Sequence, residues 1–407
     1  MKGGIYMTIF YAKKWKRVRY ILLASFLIVS FVFNQVNSVE LKANETLNMY
    51  SGSYALMDGD TGRVLTGKNE TEAMANASTT KILTCILTLE SCDLNDMVYI
   101  SEKASSQPKV RMGLKQGEKY QLKDLLYGLM LESYNDCAVA IAEHVSGSTE
   151  AFAKALNEKA KEIGCTDTYF ITPNGLDAED ENGFHHSTAE DLCKIMAYCT
   201  WESPKKDVFL EITQTRNYDS FVNRNSFLNQ MEGVLTGKTG FTNKAGYCYV
   251  AAMEVNGERY CIALLACGWP NNKNYKWKDA KTLFEYGMEN YDKKIVKIKP
   301  QTHQILIDGF IDKTLFSSLN KELVLNIQSQ EKEYQILLND KEELQVLIHI
   351  NNNIKAPVKT GDYLGVCRVY VGDTLMDEFP IYSEENIYIW GVKELIHTIF
   401  YQFLTFS

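Results

Sequence analysis

The chain has 407 residues, 45% of them apolar and 23% charged, enough for two or three domains with cores of ordinary size. Its formal charge of −8 is unevenly spread: Lys2, Lys13, Lys14, Lys16, Arg17 and Arg19 precede any acid, the first being Glu40, and beyond that head 37 basic residues face 51 acidic ones. An acidic body excludes sequence-independent nucleic-acid binding, which needs basic surface to neutralise phosphates.

In chain order, the basic head runs into an apolar stretch, Tyr20–Phe33, and then the polar stretch Asn34–Ser38. This pattern predicts an export signal over residues 1–38, too short in its apolar part to span a bilayer comfortably. Ser53–Leu65 reads as a β-hairpin around Asp58-Gly59-Asp60-Thr61-Gly62. Helical spacing follows at about Ser78–Glu90, Leu122–Leu131, Cys137–Val145, Ala151–Ile163 and Ala189–Tyr198. From about Gly233 the pattern turns to strands, Gly246–Val255 and Tyr260–Gly268, and Lys278–Tyr291 returns to helix. A mixed α/β unit over residues 39–291 is expected. Residues 292–386 carry short β-like runs and predict a small all-β domain. In residues 387–407, Leu395-Ile396, Ile399-Phe400 and Phe403-Leu404 alternate with polar pairs, which predicts an amphipathic helix lying on a membrane surface.

The ten cysteines are scattered through apolar stretches with no C-x-x-C pair, so they read as free, buried thiols and not as a zinc site. His185 and His186 are adjacent, so they cannot share one helix face as ligands, and they read as a surface or structural pair. No Gly-x-Ser-x-Gly elbow, H-E-x-x-H helix or P-loop occurs.

Ser-x-x-Lys occurs five times, beginning at Ser78, Ser106, Ser203, Ser318 and Ser329. Residues three apart touch only on a helix. Pro108 and Pro204 oppose a helix at the second and third copies, and the last two lie in polar, charged stretches. Only Ser78-Thr79-Thr80-Lys81 opens a strongly apolar helix, where Lys81 can be desolvated into a neutral base and Ser78 sits near the positive end of the helix dipole. Without further motifs, Ser78 would read as an N-cap and Lys81 as a solvated surface residue. Further motifs exist. Ser133-Tyr134-Asn135 falls in a tight turn between two helices and can present a hydroxyl and an amide to a cleft. Lys238-Thr239-Gly240, ahead of the strand Gly246–Val255, supplies a cation, a hydroxyl and a glycine that suit a bound carboxylate. The second Lys-Thr-Gly, Lys359-Thr360-Gly361, reads as a turn in the other domain.

These three motifs resemble those of penicillin-binding proteins and serine β-lactamases. The flanks Leu56–Gly62, Ala77–Leu89, Ala142-Glu143-His144, Thr172–Asp177 and Ala245-Gly246-Tyr247 narrow the resemblance, over roughly residues 50–291, to the low-molecular-weight D-alanyl-D-alanine carboxypeptidases of peptidase family S11. The resemblance implies an α/β (α+β) transpeptidase-like fold: an antiparallel sheet with helices plus a helical subdomain, then a small all-β domain and the amphipathic helix. It implies Ser78 as acylated nucleophile, Lys81 as general base, and Ser133 and Asn135 relaying protons and holding the substrate. It also implies Lys238, Thr239 and Gly240 at the terminal carboxylate, with an oxyanion hole from the N–H groups of Ser78 and Phe241. No cofactor or metal is implied. The expected partners are a peptidoglycan stem peptide ending in D-Ala-D-Ala, β-lactams as covalent inhibitors and, through the terminal helix, the outer face of the cytoplasmic membrane. Three positions depart from the family: Tyr134 where Gly is usual, Asn76 where Pro is common, and Lys276 in place of a carboxylate-recognising Arg. A serine β-lactamase and a catalytically idle wall-binding protein are the alternatives.

Overall fold

The computed structural model describes residues 47–298, 302–307, 321–326, 332–351, 354–355, 357–384, 386, 396, 400–401 and 404. The expected export signal lies outside these residues. Asn48–Ser407 form one compact unit.

That unit opens with β1 (Ser53–Asp58) and β2 (Val64–Lys68), followed by a 3-10 turn (Ala77–Thr80) and α1 (Lys81–Ser91). β3 (Met97–Tyr99), the short α2 (Glu102–Ser105), β4 (Lys119–Gln121) and α3 (Leu122–Tyr127) come next, and α3 runs into a π-helical turn, Gly128–Glu132. Then follow α4 (Asn135–Ser146), α5 (Thr149–Ile163), β5 (Glu179–Asp180), β6 (Gly183–Phe184), α6 (Ala189–Ala197), α7 (Lys206–Gln214), β7 (Asn217–Tyr218) and β8 (Phe221–Val222). The unit's main sheet is completed by β9 (Val234–Thr242), β10 (Gly246–Val255) and β11 (Glu258–Leu265), with α8 (Tyr275–Asn290) after them.

The main sheet is antiparallel with strand order β2-β1-β11-β10-β9. Its central strands are apolar on both faces because both faces are covered. Ala55, Met57, Cys261 and Ala263 join one core with Leu192, Cys193 and Met196 of α6. On the opposite face Gly287 of α8 lies against Leu56 and Tyr260. Helix ends follow local chemistry: Thr188 Oγ1 accepts from the Asp191 amide at α6 and Ser148 Oγ from the Ala151 amide at α5.

From Asp292 the chain forms separate small antiparallel sheets: β12 (Asp292–Ile298) pairs with β15 (Lys332–Leu338) and β13 (Thr302–Ile307) with β14 (Lys321–Asn326), while β16 (Leu344–Ile350), β17 (Tyr363–Val371) and β18 (Thr374–Tyr382) form a third. The β1–β2 hairpin is tied to this region. Arg63 reaches both Glu342 carboxylate oxygens at 2.7 and 3.0 Å and the Leu337 carbonyl. Asp58 Oδ2 accepts from the Leu337 amide at 3.0 Å, and Lys293 Nζ meets Asp60 at 2.7 Å.

Some of the expected elements hold and others are corrected. Ser78 lies in the 3-10 turn, and α1 starts only at Lys81. Lys238-Thr239-Gly240 precedes the strand Gly246–Val255 as expected, but it lies in a strand of its own, β9, which was not among the expected elements, paired with Val250, Tyr249 and Cys248. Helix α7 has no counterpart among the expected elements. Lys359-Thr360-Gly361 is a turn, with Gly361 at φ +90°. The ten cysteines are free, eight of them buried. Of the expected terminal helix, positions 396, 400, 401 and 404 are described; they are helical and exposed. No described helix is long and apolar enough to cross a membrane.

Candidate active site

Residues at i and i+3 eclipse one another on a 3-10 helix, so the turn at Ala77–Thr80 stacks Lys81 directly over Ser78. Lys81 Nζ lies 2.8 Å from Ser78 Oγ. It is fully buried, at the root of a helix whose Ile82, Leu83, Cys85 and Ile86 are buried too. Its other hydrogen-bond acceptors are Asn135 Oδ1 at 2.9 Å and the Asn174 carbonyl at 2.8 Å. None of these is a carboxylate. Burial, with some repulsion from Lys238, therefore drives the Lys81 pKa well below the usual lysine range and favours a neutral amine.

The Ser133 turn follows the π-helical end of α3. Ser133 adopts φ +64°, a left-handed conformation, and α4 starts two residues later at Asn135. The kink is braced from behind. Tyr134 packs edge-on to Phe221, and the neighbouring Asp136 carboxylate accepts from the amides of Met112, Gly113 and Leu114 at 2.9, 2.8 and 3.2 Å. Ser133 Oγ accepts from Lys238 Nζ at 2.9 Å, which links the turn to β9. Lys238 also donates to the Thr239 carbonyl at 2.9 Å. Its pKa falls to about 7, chiefly through burial and secondarily through Arg224.

Gly240 brings β9 against the turn that carries Ser78. A Cβ on Gly240 would meet the Ser78 nitrogen at 2.9 Å and the Ala77 Cβ at 3.0 Å, so no larger residue fits without displacement. The amides of Ser78 and Phe241 therefore border the same space, a cleft of about 670 Å³ lined by Ser78, Ser133, Asn135, Thr239, Gly240, Phe241 and Lys276 among others. Lys276 is 7% exposed and sits over the rings of Tyr247 and Trp277 at 4.7 and 4.5 Å. Burial lowers its pKa to about 8.

All nine expected site residues thus converge on one cleft, though Lys81 and Lys238 stand behind its lining. The structure adds two contributors that no motif marked. Asn174 acts through a backbone carbonyl, invisible to side-chain pattern, although it stands in the family-like stretch Thr172–Asp177. Arg224 lines the cleft from the segment after β8, its Nε bonded to Glu132 Oε2 at 2.7 Å. Among the described residues, Cys92, Asp96 and His144 could hold a metal ion, with ligand atoms within 4.8 Å of one another, but none of them lines the cleft.

The family profile described as D-alanyl-D-alanine carboxypeptidase, peptidase S11, matches residues 40–266, and that of the penicillin-binding protein 5 C-terminal domain matches residues 329–388. The chain is 28% identical over 384 residues to the D-alanyl-D-alanine carboxypeptidase DacF of Bacillus subtilis, covering 91% of this chain and 95% of the relative. It is 33% identical over 244 residues to DacB2 of Mycobacterium tuberculosis, covering 58% and 81%. Among solved structures, penicillin-binding protein D2 from Listeria monocytogenes in its cefotaxime-bound form aligns with TM-score 0.54 and 26% identity over 60% of this chain and all of that one. The carboxypeptidase DacD of Francisella tularensis shares the fold with TM-score 0.62 and 24% identity, over 84% of this chain and 94% of that one. The chain belongs to the D-alanyl-D-alanine carboxypeptidase family, peptidase S11.

Proposed function

We propose that the chain is a serine-type D-Ala-D-Ala carboxypeptidase that removes the last D-alanine from peptidoglycan stem peptides through an acyl-enzyme on Ser78. The observation that carries this reading is a buried Lys81 that is hydrogen-bonded to no carboxylate and lies 2.8 Å from Ser78 Oγ. A neutral Lys81 takes the Ser78 proton as Oγ attacks the carbonyl between the two D-alanines. The resulting oxyanion is held by the amides of Ser78 and Phe241, each donor contributing roughly 3 kcal/mol to the transition state. The proton reaches the departing amine through Ser133, whose hydroxyl is bonded to Lys238. Water then releases the shortened peptide. Lys238, Thr239 and Lys276, with Arg224, supply the charge and hydroxyl suited to the terminal carboxylate, and Asn135 holds the substrate amide. β-Lactams, which present a similar acyl group, acylate the same serine.

The same reading takes residues 39–291 as the catalytic domain and 292–386 as a β-rich domain. It places the enzyme at the outer face of the cytoplasmic membrane, exported by residues 1–38 and held there by residues 387–407. The exposed Ile396, Phe400 and Leu404, spaced by four, support that anchor.

The test is incubation of the protein with a D-Ala-D-Ala-ended pentapeptide and, separately, with labelled penicillin. Release of one D-alanine and a long-lived penicillin adduct are expected, both lost in Ser78→Ala. Rapid penicillin turnover without D-alanine release would favour a β-lactamase; no reaction at all would favour an idle binding protein. Deletion of residues 387–407 is expected to release the protein from membranes, and continued attachment would refute the anchor.

A further inference from the structure

One buried imidazole outside the motifs has its hydrogen-bonding capacity committed between two segments of the cleft wall. His185 is 3% exposed. Its Nδ1 accepts from the amides of Ile171 at 2.9 Å and Thr172 at 3.3 Å. A nitrogen that accepts backbone N–H bonds carries no proton, so Nε2 carries it and donates to Thr80 Oγ1 at 2.8 Å. Thr80 Oγ1 in turn accepts from Asn76 Nδ2 at 2.9 Å and donates to the Ala77 carbonyl at 3.2 Å, which uses its one donor and both acceptor positions. Burial lowers the His185 pKa to about 3, so the ring stays neutral.

The two joined segments hold complementary parts of one geometry. The Ala77–Thr80 turn carries Ser78. The segment after Thr172 carries Asn174, whose carbonyl accepts from Lys81. It meets the turn closely: Gly175 has φ +79°, and a Cβ there would come within 1.8 Å of the Ala77 carbonyl oxygen. A neutral amine has two hydrogens and one lone pair. Asn135 Oδ1 and the Asn174 carbonyl can only accept, so between them they take both hydrogens. The lone pair is then left for the third neighbour, Ser78 Oγ.

We propose that the His185–Thr80 hydrogen bond fixes the Asn174 carbonyl against Lys81 and so aims the Lys81 lone pair at Ser78, which makes His185, Thr80 and Asn174 positioning residues for the proton transfer. This rests on the assignment of Ser78 as nucleophile and Lys81 as base. Thr84 Oγ1 separately tethers the Pro173 carbonyl at 2.8 Å, so cutting the His185 bond shifts the segment without releasing it.

The test is stopped-flow acylation of the full chain by a fluorescent penicillin, with the saturable binding constant and the acylation rate constant resolved separately per titrated active site. Thr80→Val deletes the hydroxyl at nearly constant volume, and Thr80→Ser keeps it. Thr80→Val is expected to lower the acylation rate constant by about tenfold or more with the binding constant unchanged, and Thr80→Ser to restore it. A purely structural role would lower the fraction of titratable sites and the Tm but not the rate constant per site. Should Thr80→Val fail to fold, His185→Asn keeps an acceptor for the Ile171 and Thr172 amides but cannot reach Thr80, and the same loss is expected. An acylated parent with an unchanged rate constant in the variant would overturn this inference alone. A parent that is never acylated would strike down the Ser78 assignment first.

Discussion

Gly240 packs directly on the backbone of Ser78: any Cβ at position 240 would stand 2.9 Å from the Ser78 nitrogen. Strand β9 therefore reaches the turn that carries Ser78 only because position 240 has no side chain. Gly240→Ala is expected to push β9 away and misplace one of the two amides facing the carbonyl oxygen. Acylation should fall by about a hundredfold, in the range for losing one oxyanion donor, while circular dichroism and Tm change little. Retention of full acylation in Gly240→Ala would mean that the two amides do not act together.

Lys238 sets a limit on the alkaline side. Its folded pKa is lowered from 10.5 to about 7, so its charge is lost as pH rises past about 7 and not near 10. If that charge receives the substrate carboxylate, kcat/KM for the pentapeptide should decline above about pH 7. Lys238→Arg keeps a cation to far higher pH and should remove that alkaline limb, even if the maximal rate falls. An unmoved limb in Lys238→Arg would assign it to another group.

Lys276 is held between Tyr247 and Trp277 on the cleft wall, where burial lowers its pKa to about 8. Lys276→Met keeps the stem length and removes the charge. KM for the pentapeptide is expected to rise about tenfold with kcat nearly unchanged, the pattern of lost uniform binding. A peptide with an amidated C-terminus should not distinguish the variant from its parent.

Arg63 joins the hairpin of the main sheet to Glu342 and the Leu337 carbonyl. Removing its nearly buried guanidinium leaves those acceptors without their cation. Arg63→Ala is expected to cost about 3 kcal/mol in urea unfolding, with penicillin acylation per folded molecule unchanged. A loss of acylation alongside would mean that the β-rich region supports the cleft and not only the fold.

The cleft residues were legible because they fall in short linear motifs: an apolar helix singled out Ser78 among five Ser-x-x-Lys copies, and only the two further motifs turned it from an N-cap into a candidate nucleophile. What stayed hidden was set by distant chain. Strand β9 was missed as the carrier of Lys238 because Val-Leu-Thr-Gly-Lys-Thr-Gly-Phe-Thr has no clean two-residue alternation; its pairing with β10 creates the strand. The π-helical turn at Gly128–Glu132 left no mark in a run that reads as ordinary helix. Arg224 reaches the cleft from a loop, and Asn174 contributes a carbonyl that every residue type possesses. His185 reads in sequence as part of a surface or structural pair, and its hydrogen-bond partners lie 13 to 105 positions away, where no local pattern could name them.

The ten unpaired cysteines bear on how long the molecule lasts. Eight are buried, and burial raises the pKa of Cys85, Cys193 and Cys261, which suppresses the reactive thiolate. Their protection is the fold itself. Each opening of the core in an oxidising medium would offer several sulfurs at once for mispairing, an exit from which refolding cannot return. Working lifetime would then be set by the rate of unfolding more than by its equilibrium.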